Sequence, residues 1–154
     1  MDKIWIWIFN CLPDFYYLRA VKNLLLLAGG VHLSPAAVFV RRPFYCDHPK
    51  NIRIGKGAFI NGGLLIEGEG QVTLGSQVNL GPRVTITTTN HWATKIETKA
   101  VLVAEGVWIG AASTLTPGTK IEAGAVLAAG SVVSGDVKGR QLWGGVPAKF
   151  IREL

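Results

Sequence analysis

From Val103 to Val133 an aliphatic side chain returns at every sixth position: Val103, Ile109, Leu115, Ile121, Leu127 and Val133. The position after each is small or polar. The fourth position after each is small or β-branched (Val107, Ser113, Thr119, Ala125, Ser131, Val137). An amphipathic helix repeats its apolar residues at 3.6 and a half-buried strand at 2, so neither accounts for a step of six. That step predicts a parallel β-helix built from hexapeptides, each a short flat face and a corner, three to a triangular coil. The same phase runs upstream through Ile54, Ile60 and Ile66. It resumes after a two-residue slip at Leu74, Leu80 and Ile86, with a fainter start at Leu33 and Phe39. Each recurring aliphatic is expected to point inward and stack on its equivalents. Small residues suit the corners, where larger side chains resist the backbone angles.

The flanks follow other patterns. Pro13 and Asp14 suit a helix start, with Asp14 as cap, and Gly29–Gly30 suit its end. Between them Leu18, Val21, Leu24 and Leu25 follow helical spacing opposite Arg19, Lys22 and Asn23. A helix here would cover the open apolar end of the first coil, as terminal units of repeat proteins must. Arg41–Asn51 breaks the step and reads as an irregular loop. Its Arg41, Arg42, Tyr45, Asp47 and His48 suit either a substrate cleft or an ordinary solvated loop. Residues 92–102 interrupt the repeat again. Because a coil cannot absorb extra length, an insertion there must project, and projecting loops commonly carry binding faces. The expected organisation is an N-terminal apolar and helical cap over 1–30, a hexapeptide-repeat solenoid over 31–138 with the loop at 92–102, and a short tail over 139–154. The fold class is an all-β solenoid with a helical N-terminus.

Composition narrows the function. Hydrophobic residues at 49% and charged residues at 17% exclude a disordered chain. A formal charge of +6 and a pI near 9.6 suggest an anionic partner: nucleic acid, a phosphate-rich cofactor or a membrane surface. The basic residues are scattered and no recognition helix or RNA-binding motif appears, which argues against nucleic acid. Cys11 and Cys46 match no metal or disulfide spacing and read as reduced thiols of a cytosolic protein. The apolar start MDKIWIWIF is far short of the ~20 residues a bilayer span takes, and no small-residue cleavage site follows it. Trp5, Trp7 and Phe9 either pack on the end of the solenoid or a neighbouring subunit, or lie at a membrane interface.

Four motifs carry a resemblance: Phe59–Asn61 (Phe-x-Asn), TTTNHW over Thr87–Trp92, VWIGA over Val107–Ala111, and GGVPAKFIR over Gly144–Arg152. With the repeat, and in this order, they resemble the hexapeptide-repeat acyltransferases, in the branch of maltose, galactoside and xenobiotic O-acetyltransferases. The resemblance covers roughly Ile52–Leu154. It implies a left-handed parallel β-helix, a homotrimer with sites between subunits, and transfer of an acetyl group from acetyl-coenzyme A to a hydroxyl without a metal. The expected acceptor is a carbohydrate, with a lipid-linked surface-polysaccharide precursor as one candidate. An enzyme meeting such precursors would be cytoplasmic and peripheral at the inner face of the membrane. A drug-modifying acetyltransferase and a non-catalytic scaffold are the alternatives. A zinc enzyme would need converging histidines, and His32, His48 and His91 show no paired spacing.

The resemblance also assigns residues. His91, where the projecting loop departs, is the expected general base. Imidazole titrates near ~6.5 in the open, which suits removal of a hydroxyl proton at neutral pH. Asp47, Glu69 and Glu97 are candidates to hold its second nitrogen. Asn61 matches the asparagine that contacts the acceptor hydroxyl or the developing oxyanion. Trp108 matches the tryptophan lining the acyl and pantetheine channel. Ala111 and Ala129 would border the pantetheine, and the Ala111 amide is a candidate oxyanion donor. Lys149 and Arg152, on one face if the tail is helical, match the cations that meet the cofactor phosphates. A Thr-Lys pair common after the last coil is replaced here by Ser134 and Gly135, which leaves Lys138 or Arg140 to supply the missing cation.

Overall fold

The computed structural model describes residues 2–35, 37–92 and 95–154. Short parallel strands stack into three faces. In chain order, face I holds Phe39–Val40, Phe59–Ile60, Asn79–Leu80, Trp108–Ile109, Val126–Leu127 and Gln141–Gly145, with Ala148–Glu153 added antiparallel at its end. Face II holds Phe44–Cys46, Leu64–Glu67, Thr85–Thr87, Thr114–Leu115 and Val132–Val133. Face III holds Ile52–Ile54, Val72–Leu74, Val101–Val103, Lys120–Ile121 and Asp136–Val137.

The six-residue rows form the core. Val103, Ile109, Leu115, Ile121, Leu127 and Val133 are each at most 2% exposed, and the row from Ile54 to Ile86 at most 5%. The second row is buried too. Within it the hydroxyls of Ser113, Thr119 and Ser131 donate to backbone carbonyls, which removes the cost of an unpaired buried donor. Phe39 departs from the expected register. It points outward and stacks on Phe59 at 5.0 Å, while Val38 and Val40 fill the interior. Arg41–Asn51 is also more regular than a loop, since Phe44–Cys46 pairs with Leu64–Ile66 and Phe44 is fully buried.

Left-handed backbone recurs at the corner between faces I and II: Gly63 (φ 88°), Arg83 (60°), Ala112 (56°) and Gly130 (71°). Arginine and alanine occupy two of these four positions, so glycine is not obligatory there. Glycine is required where coils nearly touch. A Cβ on Gly110 would lie 2.4 Å from the Ala129 nitrogen, and one on Gly81 2.6 Å from the Ala111 nitrogen. The obstructing atoms are backbone and cannot swing away. Gly110→Ala is therefore expected to lose about 1–3 kcal/mol of stability, the usual cost of overpacking, read as a lower denaturation midpoint with an unchanged m-value.

The N-terminus forms helix α1 (Asp2–Cys11), a 3-10 turn (Tyr16–Leu18) and helix α2 (Arg19–Ala28). Phe9 of α1 is fully buried and meets Phe44 edge-on at 6.4 Å. The orientation of α2 is opposite to its apolar pattern. Lys22, Asn23 and Leu26 face inward, whereas Val21 and Leu24 are 56% and 51% exposed. Two local contacts permit this. Lys22 pairs with Asp14 and lies 4.4 Å over the Phe9 ring, and the Asn23 amide donates to the Pro35 and Val38 carbonyls at 3.0 and 2.7 Å. Asp14 thus anchors the cap instead of capping a helix; its carboxylate also accepts the Arg42 N–H at 3.2 Å.

Candidate active site

The insertion is a β-hairpin, Thr89–Trp92 against Lys95–Thr98. It leaves after Thr88 and is pinned at its base where the Lys99 N–H donates to the Thr88 carbonyl at 2.8 Å. The coil resumes at Val101, so the projection starts and ends earlier than residues 92–102; positions 93 and 94 lie outside the described residues. His91 is exposed and pairs with Ile96 across the hairpin, and Thr89 pairs with Thr98, their hydroxyls 3.1 Å apart. These four share one side. Glu97, paired with Asn90, is on the other side by strand alternation.

The His91 side opens on a cleft at the corner between faces II and III, lined by Asp47, His48, Glu67, Gly68, Glu69, Thr89, Ile96 and Thr98. Of the three candidates to hold the imidazole, Asp47 and Glu69 are here. Glu97 is not; it pairs with Lys99 at 3.0 Å, and that hydrogen-bonded ammonium keeps its carboxyl below the ordinary range. The Asp47 carboxylate accepts the Gly68 N–H at 3.0 Å, and His48 Nδ1 lies 3.3 Å from the Gly68 carbonyl oxygen. Glu67 joins the cleft without having been singled out in the sequence. Its signal is the coil length: Cys46 stands beside Ile66 and Ile86, steps of twenty that bring Asp47, Glu67 and Thr87 to one corner.

Asn61, Trp108 and Ala111 share a second groove with Phe59, Asn79, Leu80, Gly81 and Pro82, where face I meets the corner to face II. Ala129 continues this corner one coil on, with the Gly130 N–H donating to the Ala111 carbonyl at 2.8 Å. Trp108 is 60% exposed on the outer surface of face I. The Asn61 side chain is fixed from one end: its Oδ1 accepts the Gly62 N–H at 2.9 Å and Arg41 Nη1 at 3.4 Å. That leaves Nδ2 as the group able to donate into the groove. Gly81 and Gly110 let the Ala111 and Ala129 backbone pack tightly at this corner. A single chain does not unite the candidates: His91 opens on the corner between faces II and III, Asn61 on the preceding one.

The tail is a hairpin rather than a helix. Lys149 stands opposite Gly144 and Arg152 opposite Leu142, with a bulge between them, so no helical face joins the two cations. A period-two strand satisfies the tail's backbone by pairing it with the last coil, which its short amphipathic pattern did not reveal. Of the substitutes for the missing cation, Lys138 is engaged: it pairs with Glu122 at 2.9 Å, and each holds the other in its charged form. Among the described residues no cluster of three or more His, Cys, Asp or Glu side chains forms a metal site.

Stacked parallel coils, a projecting histidine hairpin and a corner groove define a hexapeptide-built β-solenoid with two clefts. No family model matches the chain. It is 31% identical over 123 residues to the galactoside O-acetyltransferase of Escherichia coli, which spans 75% of this chain and 62% of that protein. It is likewise 31% identical over 124 residues to the galactoside O-acetyltransferase of Lactococcus lactis, spanning 75% of this chain and 60% of that one. The chain thus spans about three fifths of the length of these relatives. The crystal structure of a hexapeptide-repeat-containing acetyltransferase from Vibrio cholerae in complex with acetyl-coenzyme A superposes with a TM-score of 0.86 at 28% identity, covering 99% of this chain and 85% of that one. The chain belongs to the hexapeptide-repeat acetyltransferases, and its solenoid is the left-handed parallel β-helix of that family.

Proposed function

We propose that the chain is an acetyl-coenzyme A-dependent O-acetyltransferase whose acceptor is a carbohydrate hydroxyl. The observation that carries this is the division of labour between two clefts, a carboxylate-rich one around His91 and a corner groove holding Asn61, Trp108 and Ala111. The galactoside O-acetyltransferase relatives support the sugar as acceptor class. Acetyl-coenzyme A supplies the activated acyl carbon. His91 takes the proton from the attacking hydroxyl, with Asp47 or Glu69 holding its other ring nitrogen. Asn61 Nδ2 and the Ala111 N–H donate to the carbonyl oxygen as charge develops on it. Trp108 and the Ala111–Ala129 corner border the pantetheine arm, and Lys149 and Arg152 meet the phosphates.

The base and the oxyanion donors must reach one reacting centre, so the site is completed by a second copy of the chain. Face composition supports the same assembly. The outward positions of face III are Arg53, Thr73, Leu102, Lys120 and Asp136, three of them charged. Those of face I are Phe39, Phe59, Asn79, Trp108, Val126 and Leu142, and those on the later coils of face II are Thr85, Thr114 and Val132, with no charge among them. Face III suits solvent; the uncharged faces suit neighbouring subunits of a closed homotrimer.

Calorimetric titration with coenzyme A tests the reading. Micromolar binding is expected for the unaltered protein, weakened about tenfold or more in a Lys149→Ala, Arg152→Ala double variant, since two charge-assisted contacts are removed. Absence of binding by both would overturn it.

No helix among the described residues is long and apolar enough to cross a membrane. Peripheral contact with an anionic cytoplasmic leaflet is the localisation we propose, supported by the outward Trp5, Tyr16, Tyr17, Val21, Leu24 and Leu27 beside Lys3 and Arg19. Co-flotation with anionic liposomes, lost in a Val21→Gln, Leu24→Gln variant, is the expected result. Equal flotation of both proteins, or of neither, would exclude this surface.

A further inference from the structure

A third cleft, of about 330 Å³, lies between α1 and face II, lined by Lys3, Ile6, Trp7, Asn10, Tyr45, Cys46, Asp47 and Leu65. Its volume falls at the lower end of the roughly 300–1,000 Å³ of ligand cavities. Its wall on face II is the outward cross-strand pair Tyr45 and Leu65, 54% and 41% exposed; its wall on α1 is Trp7, 65% exposed, beside the buried Ile6. Large side chains left this open on two facing elements are unusual unless something covers them. Cys46 is half-buried here, and burial, and secondarily the Asp47 charge, pushes its thiol up to about 12.

Asp47 lines this cleft and also the His91 cleft, so the two are contiguous through one carboxylate. The His91 side is polar, with three carboxylates and two histidines. Beyond Asp47 the lining turns to Tyr45, Leu65, Ile6 and Trp7, with Lys3 and Asn10 as polar exceptions. We infer that the acceptor is an amphiphilic glycoside: its sugar lies at His91 and its apolar aglycone fills the cleft between α1 and face II. The inference rests on the reading above that His91 meets the acceptor. It adds the aglycone as a specificity determinant and assigns its recognition to Trp7 and Leu65.

Binding is tested by calorimetry without the acyl donor, comparing methyl β-galactoside with octyl β-galactoside below its critical micelle concentration. Each buried methylene improves affinity about fourfold, so burial of only two or three predicts about 15- to 60-fold tighter octyl binding. Trp7→Ala and Leu65→Gln, both at exposed positions, are expected to bring octyl affinity down to within about threefold of methyl and to leave methyl binding unchanged. In turnover with acetyl-coenzyme A, the same variants should raise KM for the octyl glycoside alone. Equal binding of the two glycosides by the unaltered protein would overturn the inference, as would an octyl preference that survives both substitutions. Failure of coenzyme A binding, by contrast, would overturn the acetyltransferase reading while the donor-free octyl comparison still decides the cleft.

Discussion

Replacing His91 by alanine is expected to lower kcat by about 10²–10⁴, the usual contribution of a positioned general base. Coenzyme A affinity should stay within about twofold, because in the proposed site the pantetheine and phosphates are met by Trp108, the Ala111–Ala129 corner, Lys149 and Arg152 and not by the imidazole. Stability should also be retained: His91 is exposed on a hairpin whose register is held by backbone pairing and by the Thr89–Thr98 hydroxyl contact. The measurement is thiol release from acetyl-coenzyme A under saturating acceptor, with calorimetric coenzyme A binding on the same preparation. A loss of less than about fivefold would remove His91 from the chemistry and leave the carboxylates of its cleft to be tested as the base. Glu97→Gln is the paired control. Its side chain lies across the hairpin from the His91 side and is engaged by Lys99, so its activity should match the unaltered chain.

The solenoid was legible because one interaction writes it. Each inward aliphatic must meet the one above and the one below, which imposes a period that no corner or loop erases, and every residue of both long rows is buried. The cap was legible only in outline. The apolar pattern of α2 turns Val21 and Leu24 inward, yet the structure buries Lys22 and Asn23. Their acceptability depends on Asp14 and on the Pro35 and Val38 carbonyls, partners that a helical projection does not contain. The tail failed for a related reason. Lys149 and Arg152 sit three apart, which suits a helix, but the last coil offers an open strand edge, and pairing with it outweighs the local spacing. The His91 neighbours were partly legible. Asp47 and Glu69 stood out as carboxylates, but choosing between them and Glu97 required the pairing of Glu97 with Asn90, which fixes the side it occupies.

Mixing two inactive variants is expected to restore activity. Asn61→Ala removes the donor proposed to meet the developing oxyanion and should cost about 10²–10³ in kcat; His91→Ala should cost at least as much. His91 and Asn61 open on different corners, so in the proposed closed trimer each site would take its histidine from one subunit and its asparagine from the next. In random mixed trimers of the two variants, a site is intact only when the histidine comes from an Asn61→Ala subunit and the asparagine from a His91→Ala subunit. That arrangement occurs at one of the three sites of every trimer that contains both variants. Co-expression of the two chains with different tags, followed by tandem purification, selects mixed trimers. Their kcat per site should rise to tens of per cent of the unaltered enzyme, against about 1% or less for either variant alone. If both groups acted within one subunit, every site would lack one of them and mixing would restore nothing. The gap between these outcomes exceeds tenfold, so the assay decides the subunit origin of the site without a structure of the assembly.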